Sequence, residues 1–204
     1  MGGIYDLNTI TQSIQKYSSS INTRKTGIDE ITNLLQQQKI IAVFGGRSES
    51  GRRALGNRSI LADPRSGEMK DTINNRIKHR QWFRPFAPSI LREEVTNWFQ
   101  NDVESPYMNF TLKFKKGKEK LVAAISHPDN TARLQTVTEN DNKWYYNLIK
   151  MWYNKTGVPI LLNTSFNDRE PICETPEHAI NCFLRTKLDY LYFYDYDLLV
   201  EKTT

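Results

Sequence analysis

The 204-residue chain is poor in the residues that build cross-links and metal centres. It has two cysteines, Cys173 and Cys182, and three histidines, His79, His127 and His178. Two cysteines supply neither a disulfide framework nor a four-thiolate zinc site. With no HxxxH or CxxC spacing, a protein-built transition-metal site is not expected. Long apolar runs are missing as well. None approaches the roughly 20 residues of a membrane span, and the opening MGGIYDLNTI lacks the basic-then-apolar pattern of a secretion signal. Asp6 stands where a myristoylation signal needs Ser or Thr. The expectation is a soluble protein of a reducing compartment, the cytoplasm.

Material for a core is plentiful. Hydrophobic residues make up 38% of the chain, with 9 Phe, 10 Tyr and 4 Trp, which excludes global disorder and suits one large domain or two small ones. The net charge of +5 is unevenly spread. Between Arg47 and Arg92 lie 11 basic residues, 9 of them Arg, against 4 acidic ones, so this segment carries +7 and the remainder −2. Arginine's rigid fork of donors matches phosphate oxygens. The surplus reads as an anion site, for small phosphates or for a nucleic-acid backbone.

Periodicity predicts a helix from Ile28 to near Gln38, a strand over Ile40–Phe44, a helix over Met69–Ile77 and a short helix over Glu93–Phe99. Strands are expected over Met108–Phe114, Leu134–Thr138, Val158–Leu162 and Tyr190–Tyr194, the last as the terminal strand. Helices are expected over Asn142–Tyr153 and from Pro176 to Lys187, and Lys113–Lys120 as an exposed hairpin tip. Residues 1–27 are polar and read as a loose helix or lead-in, with a single α/β domain over 28–204.

Four polar segments flanked by core strands carry the chemistry. GRSESGRRALGNRSILADPR, from Gly46, combines glycines that let backbone N–H groups approach an anion with Arg47, Arg52, Arg53 and Arg58. It lacks the Gly-Lys-Ser/Thr ending of a Walker loop and also reads as a solvated turn. IKHRQWFRPFAPS, from Ile77, interleaves Lys78, Arg80 and Arg84 with Trp82, Phe83 and Phe86. Such aromatics belong more often to a core, although beside cations they can stack a base. SHPDNTARLQTV places His127, Asp129 and Arg133 together; His127 is a candidate acid or phosphate donor, or a hydrogen-bonded loop histidine. In LLNTSFNDREPI a buried strand runs into a polar loop with Asn163, Ser165 and Asn167, where α/β sheets gather ligands. Ser165 lacks the Gly-x-Ser-x-Gly elbow of a hydrolase and reads as a ligand donor.

These segments, with MKDTINNRIK and VPILLNTSFNDREPICETPEHAI, resemble the C-terminal domain of NodU-type O-carbamoyltransferases from about Ile28 to about Leu191. The resemblance implies a YrdC-like α/β fold, an open twisted mixed sheet with flanking helices. It also implies a domain that makes carbamoyl adenylate from carbamoyl phosphate and ATP, with Mg²⁺ accompanying the nucleotide. The family's Lys-x-Arg and Ser-x-Asn signatures match Lys78–Arg80 and Ser165–Asn167. On this resemblance Lys78, Arg80 and Arg84 serve the phosphate groups, and Arg53 and Arg133 the carbamoyl phosphate end. Ser165 and Asn167 serve the nucleotide phosphates or the carbamoyl group, while Arg47, Asn57 and His127 join the substrate-binding set. Arg52 departs from the family's Pro and Asn130 from its Gly. Full-length relatives carry an N-terminal actin/Hsp70-like transfer domain that is not found in these 204 residues, so the expected partner is a separate domain or chain. The alternatives are an RNA- or nucleotide-binding module and a non-catalytic subunit of a transferase.

Overall fold

A computed structural model describes residues 2–203. Nine strands and six α-helices follow the order α1 (Leu7–Gln15), β1 (Ile21–Lys25), α2 (Ile28–Gln36), β2 (Ile41–Phe44), β3 (Arg58–Ala62), α3 (Glu68–Arg76), β4 (Ala87–Leu91) and α4 (Val95–Trp98). Then come β5 (Phe110–Lys113), β6 (Thr131–Val137), α5 (Lys143–Thr156), β7 (Ile160–Ser165), α6 (Pro176–Arg185), β8 (Tyr190–Phe193) and β9 (Leu198–Lys202). Three helices begin where the sequence places a capping side chain. Asp6, Asn142 and Thr175 accept from the backbone N–H groups of Thr9, Tyr145 and His178, and Pro176 follows its cap at the first helical position.

The strands form one mixed sheet in the order β1-β9-β8-β2-β3-β7-β4-β6-β5. The β8/β2 and β4/β6 pairs are parallel and the rest antiparallel. Alternate side chains along a strand reach opposite faces. Ala42 and Phe44 join the core beneath α1, α3, α4 and α6, whereas Ile41 and Val43 join the one beneath α2 and α5. Burial on both faces explains the continuous apolar run of β2. The open mixed α/β sheet with flanking helices expected from the sequence is the fold found.

Several elements depart from the sequence expectation. The lead-in contains α1 and an edge strand, β1, paired with β9, and β9 rather than the Tyr190 strand is the last strand in chain order. β3 was hidden in the first polar segment, because Arg58 and Ser59 look like loop residues yet are fully buried. Asn163, Thr164 and Ser165 belong to β7 itself, not to the loop after it. The basic stretch is no hairpin tip: a 3₁₀ turn over Lys118–Val122 lies between β5 and β6 and buries Val122.

Candidate active site

The pairing directions put the C-terminal ends of β2 and β7 and the N-terminal ends of β3, β4 and β6 at one end of the sheet. All four polar segments meet there. A cavity of about 410 Å³ is walled by Arg53, Arg80, Arg84, His127 and Arg133. It adjoins a narrower chamber shared by Arg52, Arg53, Arg80, Arg133 and Ser165. Among the described residues, neither wall contains a carboxylate.

The segments that carry the arginines are held by a carboxylate and by buried amides. Glu49 Oε1 accepts from the N–H groups of Leu55 at 2.7 Å and Asn57 at 2.9 Å, folding the Arg52–Arg53 loop back on itself. Gly56 turns that loop into β3 at φ +115°; a side chain there would lie 2.4 Å from the Tyr145 ring. Beneath the loop, Asn163 Nδ2 donates to Ala54 O, Ser89 Oγ and Gln135 Oε1, each at 3.0 Å. Gln135 Nε2 in turn donates to Leu55 O. On the opposite wall, Asn74 Oδ1 accepts from Arg80 Nε at 2.8 Å while its amide donates to Trp82 O and Arg84 O. Asn74, Ser89 and Gln135 went unread in the sequence, since nothing about an isolated amide or hydroxyl signals burial in a network.

Burial and the neighbouring Arg84 lower the Arg80 pKa to about 10, and burial together with Arg53 lowers that of Arg133. Arg133 Nε is buried without a protein partner. Burial pulls the His127 pKa down, Asp129 opposes this and Arg133 reinforces it. The His127 ring meets Thr131 Oγ1 at 3.0 Å through Nδ1. The loop beside it turns at Asn130 with φ +60°, a left-handed conformation that Asn tolerates and Gly adopts freely.

Lys78 is not in the cavity wall. His79, at φ +44°, separates it from Arg80. Lys78 is 6% exposed, and its Nζ donates to Ser165 O at 2.5 Å, Asn167 O at 2.7 Å and Asn167 Oδ1 at 2.8 Å. Burial, reinforced by Arg80, lowers its pKa to about 7. Ser165 Oγ donates to Asn167 Oδ1 at 2.7 Å, so one buried cation organises the whole Ser165–Asn167 turn. Asn167 lines a further chamber of about 410 Å³ with Glu49, Arg52 and Glu174.

Arg47 and Asn57 fall outside the arginine cavity. The Asn57 amide donates to Arg47 O, and its oxygen accepts from Asn142 and Tyr194. Arg58, expected as a ligand cation, is fully buried. Its Nη1 donates to Gly45 O and Asn57 O, and its guanidinium lies 3.5 Å from the Phe44 ring centre. The core assignment of Trp82 and Phe83 is overturned: they are 69% and 61% exposed, edge to face, whereas Phe86 is buried.

The end of the sheet thus gathers arginines from three chain segments, and the fourth adds Asn163, Thr164 and Ser165. Residues 32–202 match the carbamoyltransferase C-terminus family, and the chain belongs to that family. It is 48% identical to nodulation protein NolNO of Sinorhizobium fredii over 169 residues, covering 81% of this chain and 25% of that protein. Nodulation protein U of the same species is 41% identical over 140 residues, 69% of this chain and 25% of its own length. The chain thus spans about a quarter of these curated relatives. Among solved structures, full-length HypF in a phosphate- and nucleotide-bound form shares the fold at TM-score 0.56 and 21% identity, covering 82% of this chain and 25% of that one. HypF of T. kodakarensis does so at TM-score 0.53 and 17% identity, covering 84% and 22%. The domain is of the carbamoyltransferase type, and no helix among its described residues is long and apolar enough to cross a membrane.

Proposed function

We propose that this domain forms carbamoyl adenylate from carbamoyl phosphate and ATP, with release of phosphate and pyrophosphate. The observation that carries the reading is the arginine cavity, with four guanidinium groups and no carboxylate in its wall among the described residues. Such a site is completed by a polyanion, and preformed cations stabilise charge that builds on departing phosphates. One water balances the products: its oxygen bonds to the carbamoyl carbon as the bond from that carbon to the phosphate oxygen breaks, giving carbamate and phosphate, with the water protons passing to phosphate and solvent. A carbamate oxygen then bonds to the α-phosphorus of ATP as the bond to pyrophosphate breaks. Arg53 and Arg133 hold the carbamoyl phosphate end, with Arg133 Nε a free donor. Arg80 and Arg84 take the transferring phosphates, and His127 reaches the same cavity as a donor. Ser165 and Asn167, fixed from behind by Lys78, present hydroxyl and amide groups from the end of β7.

Mg²⁺ keeps several waters and needs one or two carboxylates besides the nucleotide phosphates. Glu49 fits, because its Oε2 is buried without a partner while Oε1 holds the loop; with Glu174 across the chamber it would hold the ion. When bound, Mg²⁺ would neutralise charge on the departing pyrophosphate. The acceptor hydroxyl and the transfer step belong, in this proposal, to a separate actin/Hsp70-like domain or chain, in keeping with relatives about four times as long.

The test is ATP–pyrophosphate exchange measured with and without carbamoyl phosphate. Exchange that depends on carbamoyl phosphate and is lost in a folded Arg133→Ala variant is expected; full retention by that variant sinks the assignment. A nucleic-acid reading draws on exposed Trp82 and Phe83 beside Arg84. Oligonucleotide affinity that falls steeply between two salt concentrations, without exchange, would favour it.

A further inference from the structure

Cys173 and Cys182 are nine positions apart, one in the loop after β7 and the other on α6. Each is 1% exposed. Their sulfurs and a carboxylate oxygen of Glu170 all lie within 4.8 Å of one another. Zn–S bonds of about 2.3 Å in a tetrahedral site put sulfurs roughly 3.8 Å apart, so this spacing needs only a small closure onto an ion.

We propose that Glu170, Cys173 and Cys182 form a zinc site that pins the loop after β7 to α6. Two thiolates with one carboxylate select a borderline-soft divalent ion over Mg²⁺ or Ca²⁺, which take oxygen ligands. On binding, each cysteine gives its thiol proton to solvent and bonds to zinc through sulfur. Glu170 bonds through an oxygen, and a water fills the fourth position. Access comes through Glu170, which forms part of the wall of a cavity of about 810 Å³ along α6. The bound cluster carries a charge of −1, and cations flank it. Arg185 Nη2 lies 2.6 Å from Glu170 Oε1, and the Lys78 ammonium is within electrostatic reach of both sulfurs. Asp168, beside Arg185, keeps a buried Oδ1 without a partner.

The site would tie down the loop that carries Asn167, since Cys173 N donates to Phe166 O at 2.9 Å. The inference concerns a stabilising ion and does not rest on the carbamoyl chemistry. The test uses the reduced, chelator-treated chain titrated with Zn²⁺ by calorimetry and with Co²⁺ by absorbance. One ion per chain is expected, with a thiolate-to-cobalt charge-transfer band. Cys173→Ala/Cys182→Ala should abolish the band, Glu170→Gln should weaken Zn²⁺ binding about 10-fold or more, and His178→Ala should leave both unchanged. Circular dichroism checks folding, and Glu170→Gln, at a partly exposed position, decides the matter if the double variant unfolds. Absence of one-to-one binding, a band that survives the double cysteine variant, or unchanged affinity in Glu170→Gln overturns the proposal.

Discussion

At the scale of single residues, Lys78 has most to say. An unfolded chain holds a lysine proton up to the ordinary value of 10.5, whereas burial brings the folded value to about 7. Between those pH values the unfolded chain binds a proton that the folded chain has released. Stability therefore rises with pH across that window, and the cost of burying the charge is fully present below it. The hold on the Ser165–Asn167 turn runs the other way, because a neutral amine offers two hydrogens where the ammonium offers three. Exchange activity is expected to fall above about pH 7 while the urea midpoint climbs. Lys78→Met should flatten the stability slope and abolish exchange; an unchanged slope would assign the titration to another group. Glu49 is the complementary case, an anion that shapes a cationic loop. Glu49→Ala leaves the Leu55 and Asn57 N–H groups without their acceptor, at a cost of about 1–3 kcal/mol. It should raise KM for carbamoyl phosphate at least about 10-fold as Arg53 loses its support. In Glu49→Gln the amide oxygen can take both N–H groups, so that variant should keep most of the stability in thermal melts.

Among the elements, the 77–86 segment is held by the buried side chain of Asn74. Asn74 donates to two of its carbonyls and accepts from Arg80. Asn74→Ala should cost about 1–3 kcal/mol in denaturant unfolding and weaken phosphate binding in titration calorimetry. Trp82→Ala and Phe83→Ala should change stability by no more than about 0.5 kcal/mol, as exposed positions do. A melting shift as large as that of Asn74→Ala would contradict the exposure found here. Both residues had read first as core, because a sequence pattern does not show which way a loop's aromatics face. β2, α5 and α6 were legible since their apolar period or caps match one packed face. β3 was not, because its burial depends on Arg58 meeting carbonyls of Gly45 and Asn57 and the Phe44 ring, a fit made only in three dimensions. β4 hid behind Pro88, yet its ladder to β6 begins at Ser89, one residue past the proline. The arginine cavity was legible as chemistry, through its Arg-rich motifs. The buried position of Lys78 and the amide network under Ala54 were not.

In the molecule as a whole, residues ahead of the matched family region extend the sheet by one edge strand. β1 covers the edge of β9, and Ile10 and Ile21 enter the core at 2% and 4% exposure. Removing residues 2–25 should cost several kcal/mol, at about 1.5–3 kcal/mol for each buried isoleucine. It should also leave β9 as an open edge prone to pairing between chains. A lower melting temperature and concentration-dependent association in light scattering are the expected readouts; an unchanged, monomeric protein would assign the segment no structural weight.

The arginine cavity and the chamber beside it draw on Arg53, Arg80, Arg133 and Ser165, positions spread across more than half of the chain. No single hairpin contains the site, and its walls meet only once β3, β7, β4 and β6 are side by side. Such distant pairings form late and slowly during folding. Ligand binding during refolding should therefore return with the last kinetic phase, after helical circular dichroism has recovered. Occupancy of the cavity then becomes a gauge of complete folding, and a phosphate-bearing ligand would act as a natural stabiliser that favours the finished sheet over every partly assembled one.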